Sequence, residues 1–541
     1  MTTKEDNCNH QVQIPSILDA TSKNLLTGFA QLHFNSRDLV NAYFKRIKEI
    51  NSTLNVVMEL NPDALSIAAE LDEERLAGRL RGPLHGLPIL IKGNIGTRDS
   101  MQTNDPAGSL ALVDAVLPTD STIATKLRAQ GLIILGKASL GEWSMLRSDN
   151  STPSWNPISG QAYSGYYPKL CPGGSSGGSA VAADLGLAWA ALGTETSGSI
   201  TSPSDRNNVV GIKPTVGLTS RHLIVPASEH QDTVGPIART VKDAAILLST
   251  IAGPDPNDPY TLTCPFNYVP NYQASCKLDG LRRKRIGIAR NVIDAELDLV
   301  SHMLPAFENA IALMARAGAT IVDNADFKAY TDWKRRPFNP VTRADFVTNL
   351  AHYLARLEYN PYDIYTVHHL QQFTQRCPAE EYPQRNTASW DVAIEQNLGN
   401  TSPEFTQHYR ENMYLGGEGG VLGALERYHL DAIVLPTKVA YEIPALVGSP
   451  IITVPLGAAG SDVPVTKIKG WDEIDLAPGV PFGISFLGKK WSEEVLIEIA
   501  YAFEQISQVR GTVKRWCQPQ SELKDEVIAS YLTRPSSPGV V

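Results

Sequence analysis

Short apolar runs bounded by glycine or proline recur along the chain, and helical stretches separate several of them. Each run has the length of a buried β-strand. Strands that alternate with helices favour a sheet covered by helices on both faces, so the sequence predicts an α/β fold. The runs lie at residues 87–91, 132–135, 187–192, 209–212, 286–289, 431–436, 451–455 and 482–487.

The organisation changes twice along the chain. We expect residues 1–80 to form a helical segment that packs on one large domain spanning residues 81–533. Within the segment, Ser36 is the predicted N-cap of an amphipathic helix that runs to Ile50, and a second helix covers about residues 62–77. In the domain, aromatic-rich helices at about 325–418 are inserted between two parts of one sheet. The tail, residues 534–541, is predicted to be disordered.

Composition excludes several classes of function. The 541 residues carry a formal net charge of −9, so no global positive field attracts nucleic acid. Residues 1–15 lack the apolar segment of a secretory signal, and no run of about 18 apolar residues predicts a membrane span. The six cysteines contain no CxxC pair, which indicates free thiols. We therefore expect a cytoplasmic protein without nucleic-acid or membrane partners; the sequence sets no oligomeric state.

Two serines in glycine-rich loops, 24 residues apart, lie downstream of an apolar strand that ends in a lysine. The strand is residues 87–92, and the serines are Ser175 and Ser199. Residues 177–185 can form an alanine-rich helix, and residues 187–192 can return as a buried strand. About nine helical residues advance about 14 Å and six strand residues about 20 Å. An antiparallel arrangement therefore brings the two serines close together.

A base, a relay and a nucleophile can be assigned to these residues. A serine hydroxyl attacks a carbonyl group only when a neighbouring base accepts its proton. Lys92 is the predicted base, because burial disfavours the ammonium form and lowers the pKa. Ser175 is the predicted relay, since a hydroxyl both donates and accepts, and Ser199 is the predicted nucleophile. His222 and His230 are weaker candidates for the base than Lys92, because no acidic residue stands at a recognisable spacing from either histidine.

The loop around the nucleophile offers four successive backbone N–H groups, those of Thr196, Ser197, Gly198 and Ser199. A turn there can direct several of them at one oxygen atom and form an oxyanion hole. Losing one such donor costs about 3 kcal/mol of activation free energy. The loop is therefore predicted to stabilise the negative charge that develops when Ser199 attacks a carbonyl.

Nucleotide and metal chemistry find little support. Residues 131–138 nearly fit the phosphate-binding P-loop, but Ala138 replaces the hydroxyl that holds Mg²⁺. The eleven histidines include no HExxH motif, and His368 and His369 are adjacent on a predicted helix, so they point apart. We predict no metal and no other cofactor. A single glycine-serine loop is most often a linker, but the joint order and spacing of the three stretches favour catalysis.

These residues resemble the amidase signature family. Its glycine- and serine-rich signature is similar to residues 173–217, and the similarity extends over about 20–260 and 425–507. The loop at 193–196 is most similar to the peptide-amidase branch. The resemblance implies an α/β/α sandwich around a mixed central sheet. It also implies a Ser-Ser-Lys hydrolase that acts on a small-molecule or peptide-like amide without a cofactor.

The resemblance assigns roles residue by residue. Ser199 matches the nucleophile that forms the acyl-enzyme, Ser175 the bridging serine and Lys92 the base. Residues 196–199 match the oxyanion loop. Thr194 matches a threonine that supports the catalytic groups without touching the substrate.

Three positions depart from the family pattern and keep alternatives open. Gly93 stands where the family usually has aspartate, Ser197 where glycine or aspartate is common, and Thr201 where the glutaminyl-tRNA amidotransferase branch has arginine. The change at Gly93 removes a group that orients the base, which leaves an inactive scaffold as one alternative. An acyl-transfer enzyme that passes the acyl group to an amine is another. The insertion at 325–418 either selects the acyl group or only packs on the domain.

Overall fold

The structure, a computed structural model, describes residues 14–101, 107–266, 268–336, 339–397 and 399–533. The predicted tail at 534–541 lies outside these residues. The strands are β1 (Val57–Leu60), β2 (Pro88–Lys92), β3 (Ile133–Ala138), β4 (Trp155–Asn156), β5 (Gly160–Gln161), β6 (Ala190–Glu195), β7 (Val210–Lys213), β8 (Thr233–Ala238), β9 (Arg285–Ile288), β10 (Thr320–Val322), β11 (Ala432–Pro436), β12 (Ile451–Ala458), β13 (Thr466–Lys467), β14 (Ile474–Leu476) and β15 (Pro481–Leu487).

Helices connect and cover these strands. They are α1 (Ser22–Ala30), α2 (Ser36–Leu54), α3 (Ala64–Leu76), α4 (Thr122–Ala129), α5 (Gly177–Asp184), α6 (Thr201–Arg206), α7 (Val241–Ile251), α8 (Arg290–Ala295), α9 (Leu297–Val300), α10 (Leu304–Arg316), α11 (Tyr330–Lys334), α12 (Pro340–Leu354), α13 (Val367–Arg376), α14 (Ala388–Glu395), α15 (Pro403–Gly416), α16 (Val421–Arg427), α17 (Glu442–Leu446), α18 (Glu493–Ser507) and α19 (Leu523–Thr533).

Eleven strands form one mixed sheet in the order β1-β3-β2-β6-β8-β7-β12-β15-β11-β9-β10. β2 lies between β3 and β6 and is parallel to both. Between β6 and β11 every pair of adjacent strands is antiparallel, and β9 and β10 then continue parallel to β11. The predicted α/β fold with a mixed central sheet covered by helices is therefore confirmed.

The centre of the sheet is buried on both faces. Every residue of β2 and of β6 is buried, as expected for near-continuous apolar strands between two helical layers. The helix α5 packs against β2 and β6, and α18 packs against β12 and β15. The last residues of β2 and β6, Lys92 and Glu195, are buried as well.

The predicted cap at Ser36 is wrong by one residue. Asn35 is the N-cap of α2, and its side chain accepts from the Asp38 N–H at 2.8 Å. Asp38 in turn accepts from the Asn35 N–H at 3.1 Å, which completes a capping box. Asp38 stands three residues after Asn35, which the box requires, whereas Ser36 has no acidic residue at that spacing. The helix also continues past Ile50 to Leu54.

The strand predicted at 187–192 begins three residues later, at Ala190. Residues 186–189 instead form the turn that leaves α5. Gly186 has a φ of 62°, and the Leu187 N–H donates to the Ala182 carbonyl at 2.9 Å. The shifted strand therefore ends at Glu195 instead of residue 192. The predicted helical segment 1–80 also contributes β1, which sequence patterns had not indicated and which pairs antiparallel with β3.

The aromatic-rich segment at about 325–418 is helical and comprises α11 to α15. It lies between β10 and β11, which belong to the same sheet. Several of its buried aromatic side chains pack around Trp143 of the preceding part of the chain. No helix among the described residues is long and apolar enough to cross a membrane.

Candidate active site

The three predicted catalytic residues come together where β2 and β6 end. Lys92 is the last residue of β2, Ser175 lies in the turn before α5, and Ser199 lies in the loop after β6. The peptide bond between Gly174 and Ser175 is cis. The Ser176 N–H donates to the Ser199 carbonyl at 3.1 Å, so the two serine loops are joined directly. Ser175 is fully buried, and Ser199 is 6% exposed.

Three oxygen atoms surround the Lys92 side-chain nitrogen. Nζ lies 2.7 Å from Ser175 Oγ, and it donates to Thr194 Oγ1 at 2.8 Å and to the Thr194 carbonyl at 3.1 Å. A neutral amine has two hydrogen atoms and one lone pair. When both hydrogen atoms are donated to Thr194, the lone pair faces Ser175 Oγ. This geometry suits a base that accepts the Ser175 proton.

Burial lowers the pKa of Lys92 from 10.5 to about 7. The side chain is fully enclosed, which disfavours the ammonium form. The negative charges of Asp232 and Glu195 act in the opposite direction and limit the fall. An amine with a pKa near 7 is substantially neutral at neutral pH, so Lys92 is available there to accept a proton.

A buried carboxylate holds the loop that carries Ser199. Glu195, the last residue of β6, is 1% exposed and accepts three backbone N–H groups. These donors are Gly198 at 2.9 Å, Ile200 at 2.7 Å and Thr201 at 2.8 Å. The three bonds fix the turn and the start of α6. The Gly198 N–H therefore already donates to Glu195, so it is not available as one of the four predicted oxyanion donors.

The other three predicted donors, the N–H groups of Thr196, Ser197 and Ser199, make no hydrogen bond to any part of the chain that the structure describes. Gly198 shapes the turn between them. Its φ is 84°, and a Cβ there would lie 2.8 Å from the Tyr441 ring, so a larger residue does not fit. Three donors thus remain to meet an oxyanion.

A cleft of about 800 Å³ opens at Ser199. Cavities of this size accommodate ligands as large as a short peptide. The helical insertion supplies part of its wall, in addition to packing on the domain. The lining combines the nucleophile loop with apolar side chains from Met145, Trp333, Tyr441 and Leu446 and polar ones from Arg336, Asn339, Thr342 and Lys438.

The Amidase family profile matches residues 38–497 of this chain. The chain belongs to the amidase family. This match confirms the predicted enzyme class, a hydrolase of carbon–nitrogen bonds in amides. A relative from Arthroderma benhamiae named "Putative amidase" is 47% identical over 94% of this amidase and 89% of that protein. A probable amidase of Arabidopsis thaliana is 35% identical and covers 92% of each chain.

Solved structures of peptide amidase are also similar to this amidase. The native enzyme from Stenotrophomonas maltophilia is 35% identical, with a TM-score of 0.80 over 93% of this chain and 99% of that one. A peptide amidase in complex with the competitive inhibitor chymostatin gives a TM-score of 0.81 at the same identity and coverage. The predicted similarity to the peptide-amidase branch is confirmed.

Apolar packing occupies the position after the predicted base. A Cβ on Gly93 would lie 2.2 Å from Met58 Cε and 3.0 Å from Leu140 Cδ2, so an aspartate there would have to displace the ends of two apolar side chains. The next residue, Asn94, donates Nδ2 to Thr194 Oγ1 at 3.0 Å. Because the same hydroxyl accepts from the lysine, the base is oriented without a side chain at position 93.

One group of side chains among the described residues has the spacing of a metal site. Glu229, His230 and Asp345 bring their ligand atoms within 4.8 Å of one another. Asp345 accepts from Ser228 Oγ and lies 2.9 Å from His230 Nδ1, and Asn400 Nδ2 donates to both carboxylates. Hydrogen bonds within the protein account for this cluster, so we assign no metal or cofactor to it.

Sequence reasoning assigned no role to two acidic residues of the site. Glu195 stands inside the signature loop, and an acidic residue at the end of an apolar strand is buried only with partners, which is a signal for its role. Asp232 accepts from Thr196 Oγ1 at 2.6 Å. Its position, 36 residues after Thr196, gives no comparable local signal.

We expect Glu195→Gln to lower kcat about 100-fold, with a smaller effect on KM. Glutamine supplies one acceptor oxygen for three backbone donors, and losing charge-assisted bonds costs about 2–3 kcal/mol. Steady-state kinetics on an amide substrate and a thermal unfolding curve measure the effect. Glu442→Gln is the matched control, because among the described residues the Glu442 carboxylate accepts only from the Ser197 hydroxyl, at 3.0 Å. Equal losses in the two variants would contradict the role of Glu195.

Proposed function

We propose that this amidase hydrolyses carboxylic amides through an acyl-enzyme on Ser199, with Ser175 as the relay and Lys92 as the base. The observation that carries the proposal is the hydrogen bonding of Lys92. Nζ lies within hydrogen-bond distance of two Thr194 oxygens and, at 2.7 Å, of Ser175 Oγ, so a neutral amine that donates both hydrogen atoms to Thr194 directs its lone pair at Ser175 Oγ. The lowered pKa of Lys92, about 7, supports the same role.

Acylation begins with two proton transfers. Lys92 accepts the proton of Ser175, and Ser175 accepts the proton of Ser199 as the Ser199 oxygen bonds to the amide carbon. The carbonyl oxygen becomes an oxyanion that meets the free N–H groups of the 196–199 loop. The proton on Lys92 then returns through Ser175 to the leaving nitrogen. The carbon–nitrogen bond breaks, and ammonia or an amine departs.

Deacylation repeats the sequence with water as the nucleophile. Neutral Lys92 accepts a proton through Ser175 while the water oxygen bonds to the acyl carbon. The bond to Ser199 breaks, and the same proton returns to the Ser199 oxygen. The carboxylic acid leaves, and the enzyme regains its starting protonation state. Lys92 thus accepts one proton and donates one proton in each half of the reaction, and Ser175 relays both.

We propose peptide-like amides as the substrate class. The cleft has the volume for several residues of a peptide, and its wall alternates apolar and polar side chains. The similar peptide amidase binds the inhibitor chymostatin, as the name of that structure states. This support concerns the class of substrate and not one compound.

Labelling with a small fluorophosphonate tests the nucleophile without knowledge of the substrate. We expect one covalent adduct, mapped by peptide mass to Ser199 and absent from Ser199→Ala. Ser197→Ala is the matched control, because this hydroxyl lies in the same loop and bonds to Glu442 instead of the relay. It should still be labelled. No adduct on the folded wild-type protein, or an adduct on Ser197, would refute the proposal.

Product analysis then separates hydrolysis from acyl transfer. A peptide amide is incubated with the enzyme in the presence and absence of hydroxylamine. We expect the free carboxylic acid as the main product in water, together with released ammonia. Failure to form the acid without an added amine would favour the transfer reaction instead.

A further inference from the structure

A second cavity, of about 290 Å³, lies behind the nucleophile loop. Thr196 and Ser144 line both this rear cavity and the substrate cleft. The floor of the rear cavity is formed by Asn94, Thr194 and Asp232. Thr194 contacts the Lys92 amine directly, so a residue that holds the proposed base also lines the rear cavity.

The Asp232 carboxylate joins two loops at the rear cavity. Its Oδ1 atom accepts from Thr196 Oγ1 at 2.6 Å. Its Oδ2 atom accepts from the Ala227 N–H at 2.7 Å and from the Ser228 N–H at 2.9 Å. The second pair of bonds closes the turn at residues 227–232, and the first ties this turn to the loop that carries the nucleophile.

The turn at 227–232 is itself anchored to the helical insertion. Asp345, a fully buried residue of α12, accepts from Ser228 Oγ. Gln231 accepts from Asn339 Nδ2 at 2.7 Å and from Thr342 Oγ1 at 3.1 Å. Asp232 therefore holds Thr196 against a turn that is fixed on its other side.

Asp232 also carries the negative charge that does most to raise the pKa of Lys92. It acts against burial to raise the pKa of the lysine, and Glu195 acts in the same direction more weakly. Burial raises the pKa of Asp232 itself to about 6, although Thr196, two backbone N–H groups and the Arg221 charge oppose that rise. The other ionisable groups at the rear cavity include His222, Glu229, Asp258, Tyr260, His352 and Arg356.

We propose that Asp232 is a positioning residue of this amidase, which fixes the oxyanion loop through Thr196 and places a buried carboxylate at the cavity next to the proposed base, Lys92. The inference rests on the proposed function of Lys92 and Ser199. The direct contact with Thr196 supports the first part. The second part is supported by the rear cavity, which Asp232 lines together with Thr194, the residue that holds the Lys92 amine at 2.8 Å. Asp232 touches neither substrate nor leaving group in this scheme.

The test is the pH dependence of Asp232→Asn, which keeps the size of the side chain and removes its charge. In the wild type, kcat/KM should rise with pH as Lys92 loses its proton. Without the Asp232 charge the ammonium is less stable, so this rise moves to lower pH by about one unit. The plateau value of kcat should fall about 100-fold, because a weaker base transfers protons less readily and the charged acceptor of the Thr196 hydroxyl is lost as well.

A matched control and a double-mutant cycle separate this role from a structural one. Glu229→Gln removes another carboxylate of the rear cavity, one that does not contact Thr196. This variant should leave unchanged the pH at which kcat/KM rises. Thr196→Val alone should lower kcat about 10-fold. Combined with Asp232→Asn, it should lower kcat no further than Asp232→Asn alone, because both changes remove one contact.

An unshifted pH profile in folded Asp232→Asn, or additive effects in the cycle, would overturn the inference. If Asp232→Asn does not fold, Thr196→Val tests the same contact from its other side. A wild-type kcat in Thr196→Val would overturn the positioning role of Asp232. A wild-type enzyme that is neither labelled at Ser199 nor active on amides would instead refute the proposed function. The two failures are therefore distinguishable.

Discussion

Ser199→Ala is expected to lower kcat/KM for amide hydrolysis by about 10⁵-fold or more, to the level of catalysis that binding and the oxyanion loop provide alone. Ser175 cannot replace it, because its side chain is fully buried and its Oγ lies 2.7 Å from Lys92 Nζ. KM should change little, since the alanine removes only the atom that forms the acyl bond. Single-turnover assays with purified, folded protein measure this loss.

Two controls make the result on Ser199 decisive. Ser197→Ala, in the same loop, should retain activity within about 10-fold because its hydroxyl is not part of the relay. Mass spectrometry of the quenched wild-type reaction should reveal an acyl adduct on Ser199 that the alanine variant lacks. Turnover by Ser199→Ala at more than a hundredth of the wild-type rate would refute the proposed acyl-enzyme mechanism.

Lys92→Met should lower kcat/KM by about 10²- to 10⁴-fold at pH 7, the range that a general base contributes. Methionine fills nearly the same volume in β2 but cannot accept a proton. The wild-type rate should rise with pH and reach half its maximum near pH 7, the pKa of Lys92. The variant should lose this dependence, and its deficit should shrink at high pH as hydroxide partly replaces the base. Rates measured from pH 5 to pH 10 provide the test.

Lys213→Met is the matched control for the base. Lys213 is also fully buried on a strand of the sheet, and burial lowers its pKa to about 8. Its Nζ donates to the Ser449 carbonyl at 2.7 Å and touches neither serine of the relay. This variant should keep the half-maximum of the wild-type profile. An unaltered profile in Lys92→Met would assign the base to another group.

Much of the sheet could be predicted from local patterns. The strands around residues 87–91 and 482–487 are short, apolar and bounded by turn residues, so they are recognisable without tertiary information. The start of β6 could not be placed, because Leu187 is apolar but belongs to the turn after α5. The cap of α2 depended on whether Asn35 or Ser36 had an acidic partner three residues on, a signal that was present and missed.

The candidate site was predictable to a similar extent. The proximity of Ser175 and Ser199 followed from chain lengths and antiparallel geometry, and the two loops are joined by a hydrogen bond. The engagement of the Gly198 N–H by Glu195 could not be predicted, because it depends on the side-chain direction at the end of β6. The contact of Asp232 with Thr196 depends on folding of distant segments, which local patterns do not encode.

The insertion at about 325–418 both packs on the domain and lines the substrate cleft. Its helices pack around Trp143, and they also supply cleft-lining residues such as Trp333 and Thr342. Through Asp345 it reaches the turn next to the nucleophile loop. Exchange of this segment between related amidases therefore alters both the substrate cleft and the support of the loop, so its effects on selectivity and on rate are linked.

The burial of Lys92 has a consequence for folding itself. The unfolded chain carries this amine as ammonium up to its ordinary pKa of 10.5, whereas the folded protein releases the proton near pH 7. Between these values the unfolded state binds more protons at this site, so the contribution of Lys92 to the free energy of unfolding rises with pH through this interval and is lowest at or below pH 7. The apolar strands on either side of β2 must offset that loss. A sheet this large thus provides the stability that lets one uncharged lysine persist at its centre.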